Sequence, residues 1–221
     1  MASVIYIADP MCSWCYGFGP ELSALLDGLP GLPLHIVVGG LRAHNKQVMD
    51  EKLKTMLLTH WAQVHQRTGL PFATDALSRP DFIYDTEPAC RAVVAARMFA
   101  PTAALAVLHA IQHGFYAKAQ DVTQGKVLAD IASVALTQAG VPVDPAKFLE
   151  TWASAAAVEA TRADFLQTQR WEISGFPTLV LERDGQLDLV TAGYLPMPKL
   201  VEAMQSVIDD DADRTAGGAA S

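Results

Sequence analysis

The sequence predicts an α/β fold in which a βαβ unit and a ββα unit flank a large all-helical insertion. Three observations carry this. β-rich runs lie only toward the two ends of the 221-residue chain. Helical patterning fills the long stretch between them. A cysteine pair, Cys12-Ser13-Trp14-Cys15, falls where the first strand gives way to the first helix.

The elements follow in order. Residues 4–8 (Val-Ile-Tyr-Ile-Ala) are a short apolar, β-rich run that stops at Asp9-Pro10. Residues 12–26 read as a helix, with Leu22, Leu25 and Leu26 on one side and Pro20 within it. Residues 34–38 form a second apolar run closed by Gly39-Gly40. Strand, helix and strand over this length make a βαβ unit with a parallel pair. Helical segments are then expected at 46–67, 87–99, 102–116 and 126–139. A further one starts at Asp144-Pro145, an N-cap aspartate followed by proline at the first helical position, and is broken near Ser154. Residues 178–181 and 187–191 are β-rich and flank Asp184-Gly185, a hairpin turn signal. A last helix is expected over 197–208. Two discontinuous stretches, 1–42 and 172–208, therefore make one domain, 43–171 make the helical insertion domain, and the acidic, small-residue tail 209–221 is expected to be disordered.

The cysteine pair carries the chemistry. A C-x-x-C at a strand-to-helix junction reads as a dithiol redox motif. The thiolate is the nucleophile in disulfide exchange, and the first turn of a helix, with its unpaired N–H groups and positive dipole end, favours an anion. Cys12 is thus expected to attack. Cys15, nearly a turn later and less exposed, is expected to resolve the mixed disulfide. The element order and the dithiol together are those of a thioredoxin fold with a helical insertion. In that fold a proline at the start of the third strand is cis and faces the dithiol, which assigns Pro177 in Gly175-Phe176-Pro177-Thr178 to that place. Phe176 then offers its backbone N–H and C=O to a bound substrate, and Trp14 partly covers the substrate groove.

Composition narrows the function classes. A net charge of −8 with dispersed acids argues against nucleic-acid binding. No apolar run approaches the roughly 18 residues of a membrane span, and the start of the chain has no basic segment of a secretory signal. A cytoplasmic location is expected. There a transient catalytic disulfide is more plausible than a permanent one.

The motifs Ala8-Asp9-Pro10-Met11-Cys12-Ser13-Trp14-Cys15-Tyr16-Gly17-Phe18, Thr86-Glu87-Pro88-Ala89-Cys90-Arg91-Ala92 and Gly175-Phe176-Pro177-Thr178 resemble the DsbA-like thioredoxin-fold oxidoreductase family, and within it the FrnE-like cytoplasmic branch. The resemblance spans about residues 3–208. It implies thiol–disulfide exchange on protein or low-molecular-weight disulfides, with no resident cofactor and with glutathione as a conceivable cosubstrate. The family includes homodimers as well as monomers. Some FrnE-like proteins carry a second C-x-x-C near the C-terminus; this chain, with three cysteines, has none, so a relay between two dithiols is unavailable.

Other readings stay open at the level of sequence. A glutathione-dependent isomerase or transferase of the kappa and hydroxychromene-carboxylate isomerase type shares the insertion architecture but usually has Ser where this chain has Cys12. A metal-holding module would need two further ligands beside Cys12 and Cys15; His109 and His113, four apart, offer no placed carboxylate, and no metal is expected. Cys90 reads as a buried small hydrophobe or a third redox thiol. Asp9 and Glu21 read as caps, exposed acids or aids to proton transfer at Cys15. Gly39-Gly40 either ends a strand or lets the backbone pass close to the site.

Overall fold

The computed structural model describes residues 2–218, with side chains through Asp209. Four strands, β1 (Ala2–Ala8), β2 (Leu34–Val38), β3 (Thr178–Arg183) and β4 (Gln186–Ala192), form one sheet in the order β2-β1-β3-β4. β1 pairs parallel with β2 and antiparallel with β3, and β3 pairs antiparallel with β4. α1 (Ser13–Asp27) joins β1 to β2, and α8 (Met197–Gly218) follows β4 and packs on both β4 and α1. This is the thioredoxin fold, α/β with βαβ and ββα halves.

Between the halves lie α2 (Glu51–Thr68), α3 (Glu87–Phe99), α4 (Ala104–Lys118), α5 (Gly125–Gln138), α6 (Pro145–Trp152) and α7 (Ala155–Arg170). Their ends follow local chemistry. Asp50 accepts from Leu53 N–H, so α2 begins later than its pattern suggests. Asp144 caps α6, and Ser154 accepts from Ala157 N–H to open α7, the break expected near that residue. A 3-10 turn over Pro101–Ala103 precedes α4. α8 differs from expectation: its helix runs on through 209–218, where the sequence predicts a disordered tail. Once a helix is nucleated, each added residue gains a hydrogen bond at small cost. Residues 219–221 lie outside the described residues.

Two features lock the insertion to the sheet. Asp164 of α7 accepts from Val38 N–H (3.0 Å) and pairs with Arg97 of α3 (2.9 Å), whose guanidinium also donates to Ile36 C=O. The exposed edge of β2 is thereby covered. Tyr16, next to Cys15, stacks on Tyr116 of α4 at 4.9 Å, and Trp61 of α2 meets the same ring edge-on at 5.1 Å. The first turns of α1 are thus wedged between sheet and insertion.

Candidate active site

Cys12 is the N-cap of α1 and Cys15 lies within the first turn. β1 delivers them: Asp9 C=O accepts from Cys12 N–H at 3.0 Å, and the backbone turns directly into the helix. Cys12 is 7% exposed and Cys15 wholly buried behind it. Both are free thiols, as is Cys90. Burial, reinforced by the neighbouring Cys12, pushes the Cys15 thiol well above its ordinary range. The helix continues through Pro20 to Asp27.

The other half of the site comes from the far end of the chain. The Phe176–Pro177 peptide bond is cis. The Cys12 thiol donates to Phe176 C=O at 3.5 Å, across 164 residues of sequence. The Phe176 ring lies against Gly39, where a Cβ would sit 2.1 Å from a ring carbon. Gly39 N–H meanwhile donates to Ala8 C=O at 2.8 Å, so both roles expected of this glycine, strand end and close approach, are present. Gly39→Ala is expected to displace the Phe176 ring, cost about 1–3 kcal/mol of stability, and slow reaction at Cys12. Thermal melts and thiol-modification rates check it; unchanged values for both would mean the ring has room to move.

Trp14 is half-buried, its ring 5.8 Å from that of Tyr194. The Tyr194 hydroxyl donates to Glu21 (2.9 Å), and the second Glu21 oxygen accepts from Met197 N–H, the first residue of α8 (2.9 Å). Glu21 is therefore a tie between α1 and α8, not an acid beside Cys15. Tyr194 is pushed up to about 12 by burial and by Glu21 and stays a hydrogen-bond donor. Its neighbour Gly193 donates to Pro177 C=O at 2.7 Å.

Asp9 is wholly buried. Its carboxylate accepts from Met11 N–H (2.8 Å), Leu41 N–H (2.7 Å), the Thr86 hydroxyl and the Cys90 thiol (3.5 Å). Burial raises its pKa against these bonds, and burial likewise raises that of Cys90. The Thr86–Cys90 motif, for which the sequence offers no chemistry, thus grips the loop that precedes the dithiol. Cys90 is a buried donor to this carboxylate. His109 packs against Gly19, where a Cβ would lie 3.2 Å from its Nε2, and burial lowers its pKa. Among the described residues no three His, Cys, Asp or Glu side chains gather as a metal site.

Residues 3–205 match the DSBA-like thioredoxin domain. The chain belongs to that family. It is 34% identical to a provisionally named protein disulfide isomerase of Nitrosomonas europaea, over 95% of this chain and 98% of that one, with a TM-score of 0.83. It is 27% identical to the cytosolic disulfide reductase DsbM of Pseudomonas aeruginosa, over 93% and 98% of the two chains, with a TM-score of 0.73. The same reductase with glutathione gives 25% identity, the same coverage and a TM-score of 0.72. A 2-hydroxychromene-2-carboxylate isomerase shares the fold at 18% identity and a TM-score of 0.65, over 95% and 98% of the chains. A comparison with the curated proteins finds no match. As a DsbA-like chain, this protein has the fold of the thiol–disulfide oxidoreductases. Among the described residues no helix is long and apolar enough to cross a membrane.

Proposed function

We propose that the protein is a cytoplasmic disulfide reductase whose Cys12-Ser13-Trp14-Cys15 dithiol exchanges electrons with protein or low-molecular-weight disulfides. The observation that carries this reading is the Cys12 thiol facing Phe176 C=O of the cis-proline segment, with Cys15 buried behind it. Cys12, as thiolate, attacks a substrate sulfur and forms a mixed disulfide. The Phe176 backbone and Pro177 hold the substrate beside Cys12, and Trp14 forms the wall of the groove. Cys15 then displaces the substrate and closes a Cys12–Cys15 disulfide. The reducing direction is supported by the similarity to a cytosolic disulfide reductase. No cofactor takes part; glutathione enters as substrate or product.

Reduced protein mixed with excess glutathione disulfide is expected to release two glutathione thiols per chain and to end with Cys12 bonded to Cys15. Cys90 stays a thiol, because it is buried and engaged by Asp9. Thiol release followed by peptide mapping checks this; no release, or a disulfide that includes Cys90, contradicts the reading. The isomerase reading keeps the same fold but has no task for a buried second thiol, and Cys15 is what sets it aside.

A further inference from the structure

A cleft of about 540 Å³ opens beside the first turn of α1, lined by Trp14, Gln63, Gln66 and Arg67. α2 reaches it because Gly17 of α1 lets Val64 and Thr68 pack close; a Cβ on Gly17 would sit 2.7 Å from Val64. Gln63, Gln66 and Arg67 are three and four residues apart on one helix and share a face. The Arg67 guanidinium lies 5.8 Å over the Tyr194 ring, which is itself 5.8 Å from the Trp14 ring. Tyr194 is bonded to Glu21, and its neighbour Gly193 to Pro177 C=O. Arg67 is thereby registered against both halves of the dithiol site. Among the described residues it forms no ion pair.

The chain carries a net charge of −8, so at long range it repels anions. A guanidinium with no carboxylate of its own, flanked by two amides, reverses that preference locally. Its fork matches a carboxylate with two parallel hydrogen bonds, and the carboxylate is the anionic group of a small peptide thiol. Trp14 lies two residues beyond Cys12, so their Cα atoms are at most about 7 Å apart. An extended tripeptide spans about 10 Å. A small peptide thiol with its sulfur at Cys12 thus extends past Trp14 toward the cleft that Trp14 and Arg67 line.

We propose that the cleft is the carboxylate subsite for an anionic peptide thiol of the glutathione class, with Arg67 the residue that sets this specificity. The proposal rests on the dithiol reading above. The Cys12 thiolate attacks one sulfur of the disulfide; that S–S bond breaks and one thiolate leaves. The other half stays bonded to Cys12 with its carboxylate on Arg67. Cys15 gives its proton to solvent and attacks the Cys12 sulfur. The second thiolate leaves and is protonated by solvent. Two electrons pass from the dithiol to the substrate.

The test compares glutathione disulfide with the neutral 2-hydroxyethyl disulfide, each reacted with the reduced full chain. The readout is the ratio of the two second-order rate constants. Relative to wild type, Arg67→Glu is expected to lower that ratio about tenfold or more, Arg67→Ala by less, and Arg67→Lys to restore part of it. Raising the salt concentration screens both the local attraction at Arg67 and the long-range repulsion by the net charge, so the ratio is expected to rise in Arg67→Ala and to rise less, or to fall, in wild type. A ratio that stays at the wild-type value in Arg67→Glu, with either substrate still reduced, overturns the subsite and leaves the dithiol reading standing. Failure of wild type to reduce either disulfide overturns both.

Discussion

Replacing Cys12 with serine is expected to stop turnover, with disulfide reduction falling about 1000-fold or more. Replacing Cys15 with serine is expected to leave the first step intact and to trap the substrate on Cys12. The two variants differ because the two sulfurs have different surroundings. Cys12 is the N-cap residue of α1 at the edge of the site, its thiol donating to the Phe176 carbonyl across the cleft. Cys15 is wholly buried and can reach Cys12 but no incoming disulfide. Mass spectrometry should show Cys15→Ser carrying one substrate-sized adduct and Cys12→Ser none. Burial holds the Cys15 thiol well above its ordinary range, so in wild type the resolving step should depend on pH. Its rate is expected to climb about tenfold per pH unit through neutrality, following the Cys15 thiolate fraction. Residual turnover in Cys12→Ser at the native rate would remove Cys12 from the mechanism.

What could be read from sequence was whatever leaves a local mark. The C-x-x-C spacing, the turn residues at Asp184-Gly185 and the N-cap Asp144 each act within a few residues, and each lies where expected. Pro177 was legible at a distance only because the fold itself dictates a proline opposite the dithiol. The rest of the site depends on contacts that no local pattern encodes. Tyr194 meets Glu21 across 173 residues, and Cys90 meets Asp9 across 81. Before folding, Glu21 looks like any exposed acid of an amphipathic helix, and Arg67 like an ordinary basic residue in the last turn of α2. The tail misled for a related reason. Its composition is that of a disordered segment, but helix extension from an anchored turn depends on what precedes it, here Leu200 and Met204 packed into the core.

Asp9 offers the sharpest separation between a structural and a merely local acid. Removing its carboxylate in Asp9→Ala leaves Met11 N–H, in a buried setting, and Leu41 N–H, in a part-buried one, without the acceptor they now have at 2.7–2.8 Å. A buried donor left unpaired costs about 1–3 kcal/mol, so a loss of about 1–3 kcal/mol is expected, chiefly from Met11 N–H, a sizeable part of a typical domain's stability. The damage should also reach the site, because Leu41 follows Gly39-Gly40 and Gly39 bears on the Phe176 ring. Asp9→Asn supplies the finer test. Burial raises the Asp9 pKa in the folded chain above its usual 3.8. The folded state therefore binds this proton more tightly than the unfolded one. Stability contributed by a neutral Asp9 is fully present below about pH 3.8 and is lost as pH rises through the higher folded value. Asn cannot ionise. The stability difference, wild type minus Asp9→Asn, should accordingly be greatest in acid and shrink as pH rises, when measured by urea denaturation across that window. A difference that is flat with pH would mean that Asp9 pays no burial cost for its charge, and that the four donors around it suffice to keep it ionised.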